Sequence, residues 1–382
     1  MKARVLTGLD RLSLAIAVIR GRRVGLMTNP TGIDRGFRSA IDILFENYRL
    51  SALFACEHGV RGDRQAGDKI DAFQDPDTGV MVYSCYGKTR RLTEEMLAEF
   101  DVLVFDMQDV GARFYTYLYS LSYVMEACAQ AGKPLVVLDR PNPVSGVQVS
   151  GTVLDEKFHS FVGEYALPTR YGLTIGEYAL WVRDHLHLKM DLTVVPLEGW
   201  RREMFGDDTD LPFIAPSPNI PTVESAIVYS GTCVFEGTNL SEGRGTTLPF
   251  ELIGAPFVNS REIEKRMAAL NLPGLHFRRA SFTPQFNKWA GETCHGVQVH
   301  VTNRKAADPF LGGLMLLEEI RHLHPDAFEW RASETGDIFT IDRLLGTDDY
   351  RKGKLDARGL IAAHKPSIEE FTARKKQFEL YS

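Results

Sequence analysis

The sequence predicts an α/β protein, with a mostly parallel sheet covered by helices on both faces, followed by a smaller α+β domain. Over the first two hundred residues, short apolar runs alternate with longer helical patterns. Because these runs are wholly apolar and are separated by helices, they are typical of strands buried in a parallel sheet. The chain has 382 residues, more than one hydrophobic core usually spans, so we expect two domains.

The first domain is predicted to span residues 1–223. Its strands are expected at residues 24–28, 50–56, 80–84, 102–105, 135–138 and 192–195. Helices are expected at residues 9–20, 37–48, 117–131 and 174–187, and Thr93 is expected to cap a further helix. Gly132 and Pro134 close the helix at 117–131. In the helix at 37–48, one apolar face is formed by Phe37, Ile41, Leu44 and Phe45.

The second domain is predicted to span residues 224–382, after the proline-rich stretch 212–221. Residues 225–233 resemble a strand, and the alternation at 297–301 is typical of a half-buried strand. Helical patterns occur at 261–270, at 309–324 and within 356–378. This mixture indicates an α+β domain that completes a cleft with the first.

The composition excludes several classes of protein. The net charge of −6 argues against a nucleic-acid-binding protein, which needs a basic surface. The apolar run at residues 14–19 is too short for a membrane span and lacks a cleavage site, so we expect a cytoplasmic protein, or a periplasmic or secreted one if the chain is a trimmed form. Five widely spaced cysteines indicate neither a disulfide framework nor a zinc site. The sequence does not indicate an oligomeric state.

Polar residues follow four of the predicted strands. Ligands of an open parallel sheet bind outside the carboxyl ends of its strands, so these residues predict a polar site along one edge. They are Asn29 after the first strand, Glu57, His58 and Arg61 after the second, Asp106, Gln108, Arg113, Tyr115 and Tyr117 after the third, and Asp139 and Arg140 after the fourth.

Each of these residues also has a purely structural interpretation. A carboxylate at a strand end often forms a turn or caps a helix, and His58 could be fixed by backbone hydrogen bonds. The tyrosines could be core aromatics with satisfied hydroxyl groups. Glu57 has no obvious packing role, because it follows an apolar strand directly and precedes a loop rich in glycine and charge.

A second dense segment, residues 235–246, contains Glu236, Asn239, Glu242 and Arg244 between three glycines. Glycine lets a backbone approach a ligand closely, so this segment is a candidate for the second wall of the cleft. A surface loop is the alternative. The rigid stretch 216–221 could present Asn219 to the same cleft or serve only as a linker.

The motif inventory favours acid–base chemistry without a cofactor. The chain contains neither the glycine-rich nucleotide-binding motifs nor the nucleophile elbow of serine hydrolases. A metal could be held by Glu57, His58, Asp63, Asp68 and Asp106, but their spacing matches no defined metal site. Glycoside hydrolysis needs one carboxylic acid and one carboxylate, which the two segments supply.

Six segments occur in an order that resembles one known family, the exo-β-N-acetylmuramidases. They are GLMTNPTG, ACEHGVRGD, VFDMQDVGARFYTY, LDRPNP, PSPNIPT and FEGTNLSEGRGT, and the resemblance extends from about Thr7 to the C-terminus. It implies a Rossmann-like domain, a smaller C-terminal domain and a cleft between them. It also implies release of N-acetylmuramic acid from the non-reducing end of peptidoglycan fragments, with muramyl sugars as ligands.

The resemblance and the positions of the residues suggest a set of roles. Glu57 is the general acid, and Glu236 or Glu242 is the second carboxylate. His58 and Asp106 orient Glu57 or the water. Arg113 or Arg244 binds the lactyl carboxylate. Other contacts to the sugar are assigned to Asn29, Arg61, Gln108, Tyr115, Tyr117, Asn219 and Asn239.

Two other functions remain open at this point. One is a metal-dependent hydrolase that uses the cluster around Glu57, His58 and Asp63. The other is a non-catalytic module with two lobes that binds muramyl sugars. The choice between a retaining and an inverting mechanism also stays open, because sequence gives no carboxylate separation.

Overall fold

The computed structural model describes residues 2–57, 59–61, 72–85, 90–332, 336 and 338–382. His58, Asp63 and Asp68 lie outside the described residues. The strands, in chain order, are β1 Arg23–Thr28, β2 Arg49–Ala55, β3 Phe73–Gln74, β4 Met81–Ser84, β5 Val102–Asp106, β6 Leu135–Leu138, β7 Ser150–Val153, β8 Pro168–Arg170, β9 Leu192–Val195, β10 Leu252–Ala255, β11 Leu275–Phe282 and β12 Cys294–Val301. The helices are α1 Ile16–Ile19, α2 Ala40–Asn47, α3 Glu94–Ala98, α4 Tyr117–Ala131, α5 Ile175–His185, α6 Val223–Thr232, α7 Ser260–Ala269, α8 Pro309–Leu323, α9 Thr340–Leu345 and α10 Ala357–Lys375.

A seven-stranded sheet forms the centre of the first half, in the order β3-β4-β2-β1-β5-β6-β9. All pairings are parallel except that of the edge strand β3 with β4. Successive side chains of β1 enter different cores: Leu26 packs in a cluster that includes residues of α1 and α2, and Met27 in one that includes residues of α4 and α5. The sheet is therefore covered on both faces, which confirms the predicted α/β class.

Local signals in the sequence fix several helix ends. Thr174 caps α5 in a capping box with Glu177, and Thr93 accepts a hydrogen bond from the backbone N–H of Met96. Helix α4 ends at Gly132, whose φ of +63° lies in the left-handed region that favours glycine. The predicted bounds of α4, 117–131, agree with those observed.

The second half contains a three-stranded antiparallel sheet, β10-β12-β11, together with helices α6 to α10. Helices α6 and α8 meet backbone to backbone, since a Cβ atom on Gly313 would lie 2.2 Å from the carbonyl oxygen of Gly231. The predicted domain boundary, between residues 223 and 224, falls in the first turn of α6. Within the described residues, no helix has the length and apolar character needed to cross a membrane.

Three predicted elements differ from the structure. Residues 225–233, predicted as a strand, form most of helix α6, because Thr222 caps its first turn and every side of the helix is buried. The predicted helix at 9–20 is a 3₁₀ turn at Leu12–Ala15 followed by the short α1. Phe37 lies before α2 and is 67% exposed, and Phe45 is 46% exposed, so only Ile41 and Leu44 of the predicted apolar face are buried.

Candidate functional site

Four strand ends bring polar residues to one edge of the large sheet. The register pairs Thr28 of β1 with Ala55 of β2 and with Asp106 of β5. Asn29, Glu57 and Asp106 therefore lie along the same edge, as the sequence predicts. They differ in what their side chains contact.

Asp106 forms a buried ion pair with Arg140, which follows β6. The guanidinium places Nε 2.5 Å from Oδ1 and Nη2 2.9 Å from Oδ2. Burial raises the pKa of Asp106, and the charge of Arg140 acts in the opposite direction. Asp106 therefore pairs with Arg140, and its predicted role of orienting Glu57 or the water stays a prediction. Arg140 and Gln108 in turn line a small pocket of about 40 Å³ at this edge.

Asn29 and Gln108 belong to one network of loop hydrogen bonds. The Thr31 hydroxyl donates to Asn29 Oδ1 at 2.5 Å and accepts from the backbone N–H of Gln108 at 2.8 Å. The Gln108 amide donates to the carbonyls of Asp109 and Pro141, both at 2.7 Å. These bonds hold three strand-end loops together, which is a structural function for both residues.

Glu57 is half-buried at the end of β2 and accepts a hydrogen bond from the Thr116 hydroxyl at 3.1 Å. It lies beside two phenols. Burial raises the pKa of Tyr115 and of Tyr117, and the negative charge of Glu57 contributes to both shifts. Arg61, further along the same loop, is paired with Asp75 at 2.7 and 2.9 Å and so anchors the chain locally.

Arg113 and Tyr117 point into the protein and not into a cleft. Arg113 is fully buried and donates from Nη2 to the carbonyl of Leu344 at 2.9 Å, and burial lowers its pKa to about 10. The Tyr117 hydroxyl donates to the carbonyl of Pro216 at 2.6 Å. These placements correct their predicted roles in binding substrate: both residues join the loop before α4 to more distant parts of the chain.

The second predicted segment forms a compact cluster of charges. Arg244 Nη2 lies 2.5 Å from Glu236 Oε1, and Arg244 Nε lies 3.2 Å from Glu242 Oε1. Lys288 Nζ donates to Glu242 Oε2 and to the carbonyls of Phe235 and Leu240, each at 2.8 Å. Two carboxylates are thus balanced by two cations.

The two glutamates of this cluster are not equivalent. The Glu242 side chain is 2% exposed and contacts both cations, whereas the Glu236 side chain is 29% exposed and contacts only Arg244 among the ion pairs of the described residues. Burial and double pairing favour an anchoring role for Glu242. Glu236 is the carboxylate that a ligand can reach.

The glycines of this segment have a packing function. Gly245, with φ of +81°, would place a Cβ atom 2.7 Å from the carbonyl oxygen of Phe286, and a Cβ atom on Gly237 would lie 2.6 Å from the backbone nitrogen of Ile341. The close approach that the sequence predicts therefore occurs, but to the chain itself. Asn239 also contacts the chain, donating to the carbonyl of Ala327 at 2.8 Å and accepting from the N–H of Glu329 at 3.1 Å. Asn219 is buried in the proline-rich segment.

An aromatic cluster lies between Glu57, at the edge of the large sheet, and the charge cluster of Glu236, Arg244 and Glu242. The ring centroids of Tyr117 and Tyr115 lie 4.9 Å apart, those of Tyr115 and Tyr229 6.1 Å, and those of Tyr229 and Phe250 4.6 Å. Glu57 lies beside its first two members. At its other end the Arg244 guanidinium lies 5.1 Å from the Phe250 ring, and the charge of Glu236 contributes to the pKa of Tyr229, which burial raises.

Two family domains match almost the whole chain. Residues 24–224 match the N-terminal domain, and residues 227–381 the C-terminal domain, of the family described as exo-β-N-acetylmuramidase NamZ. The chain belongs to the NamZ family. A peptidoglycan β-N-acetylmuramidase NamZ from Bacillus subtilis (strain 168) is 47% identical over 386 residues, which cover 100% of this chain and 92% of that protein.

Solved structures of relatives share this NamZ architecture. The crystal structure of a DUF1343 family protein from Bacteroides fragilis superposes with a TM-score of 0.90 at 35% identity, covering 99% of each chain. A second DUF1343 family protein from that organism gives a TM-score of 0.74 at 31% identity, again over 99% of each chain. The two-domain fold is therefore that of the family.

Sequence reasoning missed three residues that shape the candidate site. The sequence places Arg140 after β6 without indicating its role. The general preference of buried carboxylates for a cationic partner is the signal that could have paired it with Asp106. Thr116 and Lys288 carried no recognisable signal, and Lys288 lies 46 residues from Glu242. Among the residues that the structure describes, no group of three or more histidine, cysteine or acidic side chains is placed to hold a metal ion.

Proposed function

We propose that this protein is an exo-acting β-N-acetylmuramidase that releases N-acetylmuramic acid from the non-reducing end of peptidoglycan fragments. Membership of the NamZ family and 47% identity to a peptidoglycan β-N-acetylmuramidase support this proposal. The observation that carries it is the position of two accessible carboxylates at the two ends of one aromatic cluster. Glu57 is hydrogen-bonded to Thr116, between Tyr115 and Tyr117 in the chain, and Glu236 is paired with Arg244, which lies over Phe250.

Glu57 is the general acid in this proposal. It lies at the carboxyl edge of the parallel sheet, where ligands of such sheets bind, and the Thr116 hydroxyl fixes its orientation. As the acid, it gives a proton to the glycosidic oxygen while the bond to the anomeric carbon breaks. Water then supplies the hydroxyl group of the released sugar.

Glu236 is the second carboxylate. Arg244 holds it in place, while Glu242 and Lys288 hold Arg244 and its loop. Of the two arginines considered for the lactyl carboxylate, Arg244 remains a candidate because its side chain is 22% exposed, whereas Arg113 is fully buried. An arginine is suited to binding the lactyl carboxylate because its guanidinium can form two parallel hydrogen bonds to a carboxylate.

Release of p-nitrophenol from p-nitrophenyl β-N-acetylmuramic acid tests this function. The N-acetylglucosamine analogue is measured beside it, and both reactions contain EDTA. The proposal expects release from the muramic substrate alone. Equal release from both substrates would contradict the selectivity, release that stops with EDTA would favour a metal-dependent hydrolase, and no release from a folded protein would favour a binding module.

A further inference from the structure

An open pocket of about 680 Å³ lies in the second half of the protein, beside the Glu236–Arg244–Glu242 cluster. We call it the tryptophan pocket; it is lined by Thr238, Asn239, Asn287, Lys288, Trp289, Glu329, Trp330, Arg331 and Ala332. Its volume is in the range of pockets that bind small organic ligands. The catalytic scheme uses neither of its indole rings.

The two indoles are held as rigid surfaces. The Trp289 N–H donates to the carbonyl of Asn239 at 2.6 Å, and its ring lies 6.2 Å from Phe257. Trp330 packs edge to face on Phe328 at 4.9 Å and on Tyr350 at 6.3 Å. Flat apolar faces that are already ordered bind a ring-shaped ligand at a small entropic cost.

The loop that carries Trp289 has an unusual backbone. Asn287 and Trp289 have φ angles of +71° and +59°, in the left-handed region that non-glycine residues rarely adopt. Lys288 lies between them and fixes the loop through its three bonds to Glu242, Phe235 and Leu240. Strained backbone of this kind persists where neighbouring contacts enforce it, and it is concentrated at ligand sites.

The same Lys288 lines the tryptophan pocket and belongs to the charge cluster of the candidate active site. Its ammonium group contacts buried Glu242, which also contacts Arg244, the partner of Glu236. The pocket is therefore linked to the proposed second carboxylate, Glu236, through Lys288, Glu242 and Arg244. Arg331, which also lines the pocket, is exposed and forms no ion pair within the described residues, so its charge is available to an anionic or strongly polar group.

We propose that the tryptophan pocket binds the leaving part of the substrate, the amino sugar on the far side of the scissile bond. This inference rests on the proposed function. An exo-acting enzyme that removes one terminal sugar has only the leaving chain as a further sugar to bind. Trp330 stacks on the face of that sugar, and Arg331 contacts its polar groups or the muramyl carboxylate that follows.

Two substrates that differ in their leaving group distinguish the binding of the leaving sugar from the binding of the muramic ring. The disaccharide of N-acetylmuramic acid β-linked to N-acetylglucosamine has a sugar as its leaving group, and p-nitrophenyl β-N-acetylmuramic acid does not. We expect Trp330→Leu and Arg331→Gln each to raise the KM of the disaccharide by about tenfold, the loss of one good contact. The p-nitrophenyl ring can also stack on Trp330 but has no hydroxyl or acetamide group for Arg331, so we expect its kcat/KM to change less than about twofold in Arg331→Gln. Phe286→Leu is the matched control, because Phe286 is an exposed aromatic of the same loop, directly before Asn287, and is not among the residues that line the pocket.

The possible outcomes distinguish a pocket that binds the leaving sugar from one that binds the muramic ring or no part of the substrate. Equal losses of Arg331→Gln on both substrates would place the muramic ring in the pocket, and unchanged kinetics of both variants on both substrates would remove the pocket from substrate binding; either result overturns the inference. Arg331→Gln alters an exposed side chain and so keeps the test valid if Trp330→Leu does not fold. If the wild-type protein cleaves neither substrate, the proposed function itself fails and the subsite fails with it.

Discussion

The Tyr117 hydroxyl donates a 2.6 Å hydrogen bond to the buried backbone carbonyl of Pro216. It joins the first residue of α4, in the large domain, to the proline-rich segment that leads into α6. The tyrosine therefore positions the junction between the two halves of the chain. Its aromatic ring still forms part of the cluster that Glu57 adjoins.

Tyr117→Phe removes this hydrogen bond and keeps the ring. We expect the free energy of unfolding to fall by about 0.5–1.5 kcal/mol, the net value of one such bond, with turnover unchanged within about twofold. Urea unfolding and the p-nitrophenyl assay measure the two quantities. A raised KM with unaltered stability would show instead that the hydroxyl contacts the sugar.

The two candidate arginines for the lactyl group are expected to differ. Arg244→Met should reduce the preference for the muramic substrate over the glucosamine analogue by about 10- to 100-fold, the value of a charge-assisted hydrogen bond. Arg113→Met should leave this preference unchanged, because Arg113 is fully buried and bonded to Leu344. The ratio of kcat/KM values for the two substrates is the measurement, and the reverse ranking would contradict this account.

Glu236→Gln and Glu242→Gln separate catalysis from anchoring. Glu236→Gln should lower kcat by about 10²–10³-fold with little effect on stability, since its carboxylate is the accessible one. Glu242→Gln leaves Lys288, whose side chain is 11% exposed, without its carboxylate, so it should lower the free energy of unfolding by about 3 kcal/mol. Kinetics and urea unfolding of both variants test this. If Glu242→Gln were the more damaging variant for kcat while remaining stable, the assignment would be reversed.

Stability should depend on pH through Asp139. This carboxyl group accepts hydrogen bonds from the hydroxyls of Thr174 and Tyr381 and from the N–H groups of Arg140 and Gly176, yet burial raises its pKa to about 7. The folded state holds the proton of Asp139 more tightly than the unfolded state does. The stabilisation of the folded state by this protonated carboxyl group is therefore fully present below about pH 4 and is lost as pH rises through about 7.

Asp139→Asn should remove this pH-dependent component, which is on the order of 4 kcal/mol because the pKa rises from 3.8 to about 7. An asparagine amide can keep the four bonds, because both hydroxyl partners can also accept. The measurement is the unfolding midpoint of wild type and variant from pH 4 to pH 8. Parallel curves for the two proteins across this range would show that Asp139 titrates equally in the folded and unfolded states.

The central sheet was predictable because its strands carry a strong signal. Short apolar runs form the strands of the parallel core, four of them are followed by polar residues, and capping residues such as Thr93 and Thr174 mark the helices between them. The prediction of a strand at residues 225–233, where helix α6 lies, was wrong for a physical reason. A run of small and β-branched residues buried on all sides has no polar face, so its periodicity cannot distinguish a helix from a strand.

The edge that carries the site was also predictable, but the direction of each side chain was not. Arg113 and Tyr117 follow β5 as closely in sequence as a cleft residue would, and only tertiary packing turns them inward. The pairing of Glu242 with Lys288 was equally hidden, since ion pairs between distant segments leave no spacing pattern. Strand β11 was missed because its exposed arginines and histidine conceal the two buried phenylalanines.

The role of Glu57 is tested most directly by Glu57→Gln on two substrates. An activated p-nitrophenolate leaves without a proton, whereas a sugar leaving group needs one, so a general acid matters most for the disaccharide. We expect kcat/KM for the disaccharide to fall by about 10³-fold and that for the p-nitrophenyl substrate to fall far less, with the exposed Glu95→Gln as control. Wild-type turnover of the disaccharide by a correctly folded Glu57→Gln protein would contradict the account.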